Sequence, residues 1–288
     1  MEIAYHIGAH RTDGERILKS LLRDVDRLAA EGTAVPGPGR YRKVLREAIE
    51  AELQAGAAPG TREVLVEAML DGRETRRVVL SNAIFLGMPA RLFEGGVFMP
   101  RAADKVAALR RLLPGDRIEL HLGLRNPATF VPAVWPEAGS RSLSAWLGGI
   151  DPLDIAWSDV IAAIRQAAPD VALTVWCNED TPLLWGEILA GLAGSEEPHA
   201  FRGRHDLLIS LLSPEGQEEL RALGTDLGAH GRRAAIADLL ARHARPEEVE
   251  EEIDLPGWDH MLVEDMTLAY EEDLARIARR GDVAFLAP

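Results

Sequence analysis

The chain begins with Glu2-Ile-Ala-Tyr-His-Ile-Gly8, a short apolar run that ends at a glycine. The next seven residues, Ala9 to Glu15, are small or polar, and apolar residues then return at the spacing of a helix. They are Ile17, Leu18, Leu21, Leu22, Val25 and Leu28. The pattern predicts a strand, a tight turn and a helix. Such a loop is where α/β proteins bind phosphate, because free backbone N–H groups and the helix dipole meet there. Phosphate-binding loops are usually rich in glycine, but this loop has a single glycine, Gly14, and acidic residues flank it on both sides, Asp13 and Glu15.

Further apolar runs alternate with helical segments along the chain. The predicted strands are Ile3–Ile7, Arg77–Leu80, Ile118–Leu122 and Val171–Trp176. This alternation predicts an α/β fold with a mainly parallel sheet and helices on both faces. Ligands of such sheets bind beyond the carboxyl ends of the strands. We expect that edge to gather the residues following each strand: His10 to Glu15, Ser81 and Asn82, Arg125 and Asn126, and Asn178 to Asp180. Between strands, Val35-Pro-Gly-Pro-Gly39 is predicted as a rigid, non-helical turn.

The alternation continues to about residue 203 and then stops. Residues 204–288 contain helical segments, followed by a short apolar run at 283–286. We therefore expect an α/β domain over 1–203 and a helical C-terminal region over 204–288 packed on it. Residues 283–286 are a candidate last strand of the sheet.

Composition limits the classes of function. A net charge of −14 over 288 residues argues against a nucleic-acid-binding surface. No apolar run approaches the length of a membrane span and no leader precedes the first strand, so we expect a cytoplasmic protein without membrane partners. The single cysteine, Cys177, rules out an intramolecular disulfide. No histidine pair has zinc-like spacing, so no metal site is predicted.

Two clusters of basic residues stand out against the acidic background. They are Arg40, Arg42, Lys43 and Arg46, and Arg101, Lys105, Arg110 and Arg111. Solvated helix faces are the simpler interpretation of both clusters. A local basic pocket is the alternative, and a small anion or a protein remains open as the partner.

Three pieces of the chain carry a family resemblance. They are Tyr5-His-Ile-Gly-Ala-His-Arg-Thr12, Pro36-Gly-Pro-Gly-Arg-Tyr41 and Leu124-Arg-Asn-Pro-Ala-Thr-Phe130. As a set, over about residues 1–194, they resemble the bacterial sulfotransferase-like proteins of the P-loop fold. That family typically has a His-Lys-Thr-Gly-Thr-Thr-like loop for the 5′-phosphosulfate of phosphoadenosine phosphosulfate (PAPS). It also has an Arg-x-Pro motif after a later strand, with a serine eight positions beyond the arginine, for the 3′-phosphate.

The loop departs from the family pattern. The resemblance places Arg11 at the position of the catalytic lysine, and arginine does not readily shuttle a proton. Thr12 matches the pattern. Asp13 replaces a glycine, and Gly14 and Glu15 replace two hydroxyl residues. The two carboxylates would repel a dianionic group, each by on the order of 4 kcal/mol at about 4 Å and an effective dielectric constant near 20.

The second phosphate position is also incomplete. Arg125 matches the 3′-phosphate arginine, but Ala133 stands where the family has its serine. The resemblance therefore implies a decayed PAPS site and a non-catalytic binding or interaction protein with no cofactor. The alternative is an active PAPS-dependent sulfotransferase with an altered phosphate loop, in which His10 and Arg11 would be the catalytic residues. In that alternative, the nucleotide-binding residues would be Arg11, Thr12, Gly14 and Arg125.

Four local expectations concern residues at the carboxyl edge of the sheet. His10 has the pKa range of a general base, but it is equally ordinary as a turn residue. The Asp13 carboxylate should cap the helix that follows the loop. Arg125 should be structural, paired with Asp13, Glu15, Glu179 or Asp180. The residues 178–180 should cap the helix near Pro182, and the alternative is that their carboxylates do acid–base work or hold a cation.

Overall fold

The computed structural model describes residues 1–140, 142–224, 227–251 and 253–288, and in it six strands form one sheet. All pairs of neighbouring strands are parallel, in the order β2-β3-β1-β4-β5-β6. The strands are β1 Glu2–His6, β2 Thr33–Ala34, β3 Arg77–Ser81, β4 Arg117–Leu124, β5 Ala172–Cys177 and β6 Ala284–Leu286. The central position of β1 places the loop after it in the middle of the sheet's carboxyl edge.

Helices connect the strands and continue beyond β5. They are α1 Arg16–Leu22, α2 Val25–Ala30, α3 Pro38–Ala55, α4 Thr61–Leu70, α5 Ala102–Leu112, α6 Pro127–Val134, α7 Leu143–Trp146, α8 Trp157–Ala167, α9 Thr181–Ala193, α10 Asp206–Leu211, α11 Pro214–Ala222, α12 Ala229–His243, α13 Pro246–Val249 and α14 His260–Ala278. Among the described residues, none of these helices is long and apolar enough to cross a membrane.

The predicted α/β fold is confirmed, and each predicted strand is present within a few residues of its expected ends. The two-residue strand β2 escaped sequence reasoning because it is too short to show a periodic pattern; it pairs with β3 through Thr33 and Arg77. The short run near the C-terminus forms β6, which pairs with β5 at the edge of the sheet.

Two local predictions were wrong. The single helix expected after the first loop is divided into α1 and α2 at Arg23 and Asp24. The turn predicted over residues 35–39 ends early, because Pro38 is the first residue of α3. Proline is tolerated there since the first N–H groups of a helix have no intrahelical partner.

Alternation along the strands divides the core between the two faces of the sheet. Ile3 and Tyr5 of β1, and Ile7 just after it, are buried in the larger core cluster, together with residues of α3, α5, α8 and α14. Ala4 belongs to the second cluster, with residues of α1 and α9. Because α14 contributes buried residues to the larger cluster, the C-terminal region is part of the main core, whereas α10, α11 and α12 have a small cluster of their own.

Candidate functional site

The loops that follow the central strands meet at the carboxyl edge of the sheet, as predicted. The Arg125 guanidinium donates to the Arg11 carbonyl oxygen, which joins the loop after β4 to the loop after β1. The Asn126 N–H donates to Glu179 Oε1 at 3.0 Å, which joins it to the loop after β5. The contacts make one polar surface from separate parts of the chain.

The loop after β1 is closed by its own groups. Asp13 is buried, and its Oδ2 accepts from the Ile17 N–H at 3.0 Å, so the predicted bond from its carboxylate to the first turn of the helix is confirmed. The N-cap residue of α1, however, is Glu15 and not Asp13. Thr12 Oγ1 donates to the Ala9 carbonyl oxygen at 2.8 Å. Gly14 has a φ of +56°, which favours glycine. The helix that follows has only seven residues. The Ile17 N–H and the Thr12 hydroxyl, two donors that a bound phosphate could use, therefore already donate to acceptors within the loop.

The two candidate catalytic residues point in different directions. His10 is 1 % exposed, its Nε2 lies 2.9 Å from the Gly87 carbonyl oxygen, and burial lowers the pKa of His10 to about 4. Arg11 is exposed, and its guanidinium pairs with Glu137, in the short 3-10 helix that follows α6. The structure does not bring the two side chains together in one pocket.

Arg125 has partners that the sequence did not indicate. Its side chain is 7 % exposed, and its Nη2 pairs with Glu251, a residue of the C-terminal region. Its Nε donates to Thr129 Oγ1 at 3.1 Å. The expected pairing with Asp13, Glu15 or the carboxylates after β5 was wrong, since none of those residues reaches it. Ala133, at the position of the family's serine, lies half-buried in α6. The guanidinium that the resemblance assigns to the 3′-phosphate is therefore already engaged by protein groups.

The carboxylates after β5 do not cap α9, so that prediction was also wrong. Asp180 makes no side-chain capping hydrogen bond. Glu179 instead accepts from the Asn126 N–H and from the Tyr270 hydroxyl, 3.0 Å away on α14. Burial and the Glu179 carboxylate raise the pKa of the Cys177 thiol to about 12. These groups hold α14 against the sheet edge and leave the thiol protonated at neutral pH.

A pair of histidines lies inside the sheet on the face that α1 and α9 cover. His6 and His121 are register partners on β1 and β4, and both are buried. His6 Nδ1 lies 2.9 Å from Ser81 Oγ, and neither Nε2 atom has a hydrogen-bond partner among the described residues. Burial lowers the pKa of His6, and it lowers the pKa of His121 to about 3. Sequence reasoning had no signal for this pair, because only strand register brings it together.

An opening lies on the other face of the sheet, between α3, the segment after β3 and α5. Its volume is about 460 Å³, a size typical of small-molecule sites. The apolar residues that line it are Tyr5, Leu45, Ile49, Ile84, Phe85, Leu86, Met88, Met99 and Pro100. We call this opening the cleft.

Two residues from each of the two basic clusters in the sequence line the cleft: Arg42 and Arg46 from the first, and Arg101 and Lys105 from the second. Its cationic residues are Arg42, Arg46, Arg91, Arg101 and Lys105, and its acidic residues are Glu15 and Glu50. Arg42 binds both oxygens of Glu15 at 2.9 Å, and Arg101 lies 3.3 Å from Glu50. No carboxylate of the described residues lies within 4.0 Å of the other three cations. The cleft thus holds a surplus of positive charge in a protein whose net charge is −14.

Comparisons with protein families, with curated proteins and with solved structures find no match for this chain. Among the residues that the structure describes, no group of three or more histidine, cysteine, aspartate or glutamate side chains is placed to hold a metal ion. The cleft and the closed loop are therefore the features on which a function can be argued.

Proposed function

We propose that this protein is a non-catalytic, sulfotransferase-like binding protein whose PAPS site has decayed, and that its ligand is a small amphiphilic anion held in the cleft. The observation that carries the proposal is the unpaired positive charge of Arg46, Arg91 and Lys105 beside an apolar wall. An anionic head group would meet these cations, while an aliphatic or aromatic body would lie against residues such as Leu45 and Phe85.

The condition of the loop supports the non-catalytic part of the proposal. Asp13 engages the Ile17 N–H, and Arg125 is engaged by the Arg11 carbonyl oxygen and by Glu251. A PAPS molecule would have to displace the Glu251 carboxylate and accept the nearby negative charge of Asp13. Three features support the proposed relationship to the sulfotransferase-like proteins: the central position of β1 in the sheet, the loop that leads from β1 to α1, and the contact between Arg125 and that loop.

We also propose that the protein is cytoplasmic.

The alternative, a PAPS-dependent sulfotransferase with an altered loop, rests on Arg11 and Arg125. Both keep a positive charge beside the loop, and Glu251 is half-exposed and within reach of displacement by a nucleotide. The two functions make different predictions for adenosine 3′,5′-bisphosphate. A bound nucleotide stabilises the folded state by RT ln(1 + [L]/Kd), and under the alternative this stabilisation should disappear in Arg125→Ala.

The experiment compares octanoate with octanamide, which has the same chain but no charge. Octanoate should raise the melting temperature in a dose-dependent way, and octanamide should not, because the cation surplus selects the carboxylate. Adenosine 3′,5′-bisphosphate should have no effect. If octanoate and octanamide raise the melting temperature equally, the cleft does not select an anion and that part of the proposal is wrong. Stabilisation by the bisphosphate alone would favour the transferase.

A pair of charge reversals on α3 locates the binding. Arg46 lines the cleft, whereas Lys43 lies three residues away on the same helix, is exposed and does not line it. Arg46→Glu should weaken octanoate binding by about tenfold, since reversing a charge near the carboxylate costs on the order of 1–2 kcal/mol at a partly exposed site. Lys43→Glu should leave the affinity unchanged. If both variants lose affinity equally, the cause is net charge and the cleft is not the site.

A further inference from the structure

Nearly all of the basic residues in the sequence are arginines, and lysines are rare. Of its 32 basic residues only three are lysines: Lys19, Lys43 and Lys105. Lys19 and Lys43 are exposed on helices, while Lys105 lines the cleft and is half-buried. The amine chemistry that arginine does not offer is therefore present in the cleft at one position.

The surroundings of Lys105 differ from those of an ordinary surface lysine. Its Nζ donates to the Phe85 carbonyl oxygen at 2.9 Å, and no carboxylate of the described residues lies within 4.0 Å of it. Arg101 is the residue immediately before α5, four positions from Lys105, and it lines the same cleft. Burial, with a smaller contribution from Arg101, lowers the pKa of the Lys105 amine, and the Glu50 carboxylate partly opposes this shift. Desolvation and a neighbouring cation both favour the neutral form of an amine, which is its nucleophilic form.

We propose that Lys105 Nζ binds a carbonyl-bearing anion covalently, as a Schiff base within the cleft. This inference rests on the proposed function, because the cleft must first admit the anion. The apolar wall would hold the body of the ligand, and the side chains of Arg46 and Arg91 would hold its carboxylate, sulfate or phosphate group. The aldehyde or ketone carbon would then lie against the amine.

The step is balanced without any oxidant or reductant. The ammonium group first loses a proton to solvent, and the neutral amine attacks the carbonyl carbon to form a C–N bond. The carbonyl oxygen takes up the two protons that the amine nitrogen gives up and leaves as water, so that the carbon–oxygen double bond is replaced by a carbon–nitrogen double bond. The ligand is held reversibly, because water reverses each step.

The test uses 4-formylbenzoate, an aromatic aldehyde with a carboxylate, and traps the imine by reduction with borohydride. Peptide mass spectrometry of the full chain then compares three lysines in one sample. At pH 7 Lys105 should be labelled about tenfold more than Lys43 or Lys19, because the bound anion presents its aldehyde to one amine. Benzaldehyde, which has no carboxylate, should lose this preference, and octanoate should protect Lys105 from labelling.

Two variants complete the test. Lys105→Arg keeps the positive charge and should abolish the preferred adduct, so that only the lower labelling of Lys19 and Lys43 remains, while Lys43→Arg should leave labelling of Lys105 unchanged. Equal labelling of all three lysines, or no labelling of Lys105 in a protein that binds octanoate, would overturn the covalent step and leave the proposed function standing. A protein that does not bind octanoate would overturn the proposed function itself.

Discussion

The guanidinium of Arg125 pairs with the carboxylate of Glu251, a residue 126 positions later in the sequence. The pair joins the end of β4 to the C-terminal region and occupies the arginine that, in the resemblance, would bind a 3′-phosphate. Arg125 is buried, but 48 % of the Glu251 side chain is exposed. The two ends of this contact should therefore contribute unequally to stability.

Arg125→Ala should destabilise the fold more than Glu251→Gln does. The arginine also donates to the Arg11 carbonyl oxygen and to Thr129, so its removal should cost about 2–3 kcal/mol. Neutralising the exposed partner should cost less than about 1 kcal/mol. Urea unfolding measures both, with Glu250→Gln as the control, since Glu250 is exposed and has no ion-pair partner among the described residues. Unchanged stability in Arg125→Ala together with lost bisphosphate binding would instead support the transferase.

Asp13→Ala should lower the free energy of unfolding by about 1 kcal/mol, because the Ile17 N–H loses its side-chain acceptor. Asp13→Asn should retain most of the stability, since an amide oxygen still accepts the hydrogen bond. Asp26→Ala is a matched control on α2, where the aspartate is exposed. If the Asn and Ala variants lose equal stability, the carboxylate charge and not the capping bond is what matters.

Gly8→Ala should destabilise the fold by on the order of 3 kcal/mol. Gly8 has a φ of +120°, and a Cβ there would lie 2.6 Å from the Ala83 carbonyl oxygen, which is backbone and does not move aside easily. Gly39, in the first turn of α3, has nothing within 4 Å of the corresponding position. Gly39→Ala should therefore be neutral or slightly stabilising. Thermal unfolding distinguishes the two, and equal melting temperatures would contradict the close approach at Gly8.

Stability should fall as the pH drops below about 6.5, the histidine pKa of the unfolded chain. Burial lowers the pKa of His10 to about 4 and of His121 to about 3, so the unfolded chain takes up protons before the folded one. At pH 5 each histidine should cost about 2 kcal/mol relative to pH 7.5. The loss from His10 levels off below pH 4 and that from His121 below pH 3.

Urea unfolding at pH 5 and 7.5 measures this dependence. His121→Leu should reduce the loss at pH 5, because the variant has no proton to take up at that position. His260→Leu is the control, because His260 is exposed at the start of α14 and does not belong to the buried core. An equal pH dependence in wild type and His121→Leu would show that His121 does not contribute to it.

Periodicity in the sequence was sufficient to predict the parallel sheet and its four longer strands. A strand such as Ile118–Leu122 is visible locally because alternate side chains face opposite layers of the core. The capping role of Asp13 was predictable for the same reason, since a cap and its helix are neighbours in sequence. The two-residue strand β2 and the break between α1 and α2 were not, because pairing with β3 and contacts with neighbouring elements determine them.

The partners of polar side chains depended on tertiary packing. Nothing near Arg125 in the sequence indicates Glu251, and nothing near His6 indicates His121, because the chain must fold before either pair meets. The cleft has the same origin. Its basic residues are separated along the chain on α3, on the segment after β3 and on α5, and the packing of these elements around β1 creates the enclosed volume in which unpaired cations lie beside apolar side chains. Local sequence patterns specify helices and strands, whereas a binding site depends on which of their surfaces come to face one another.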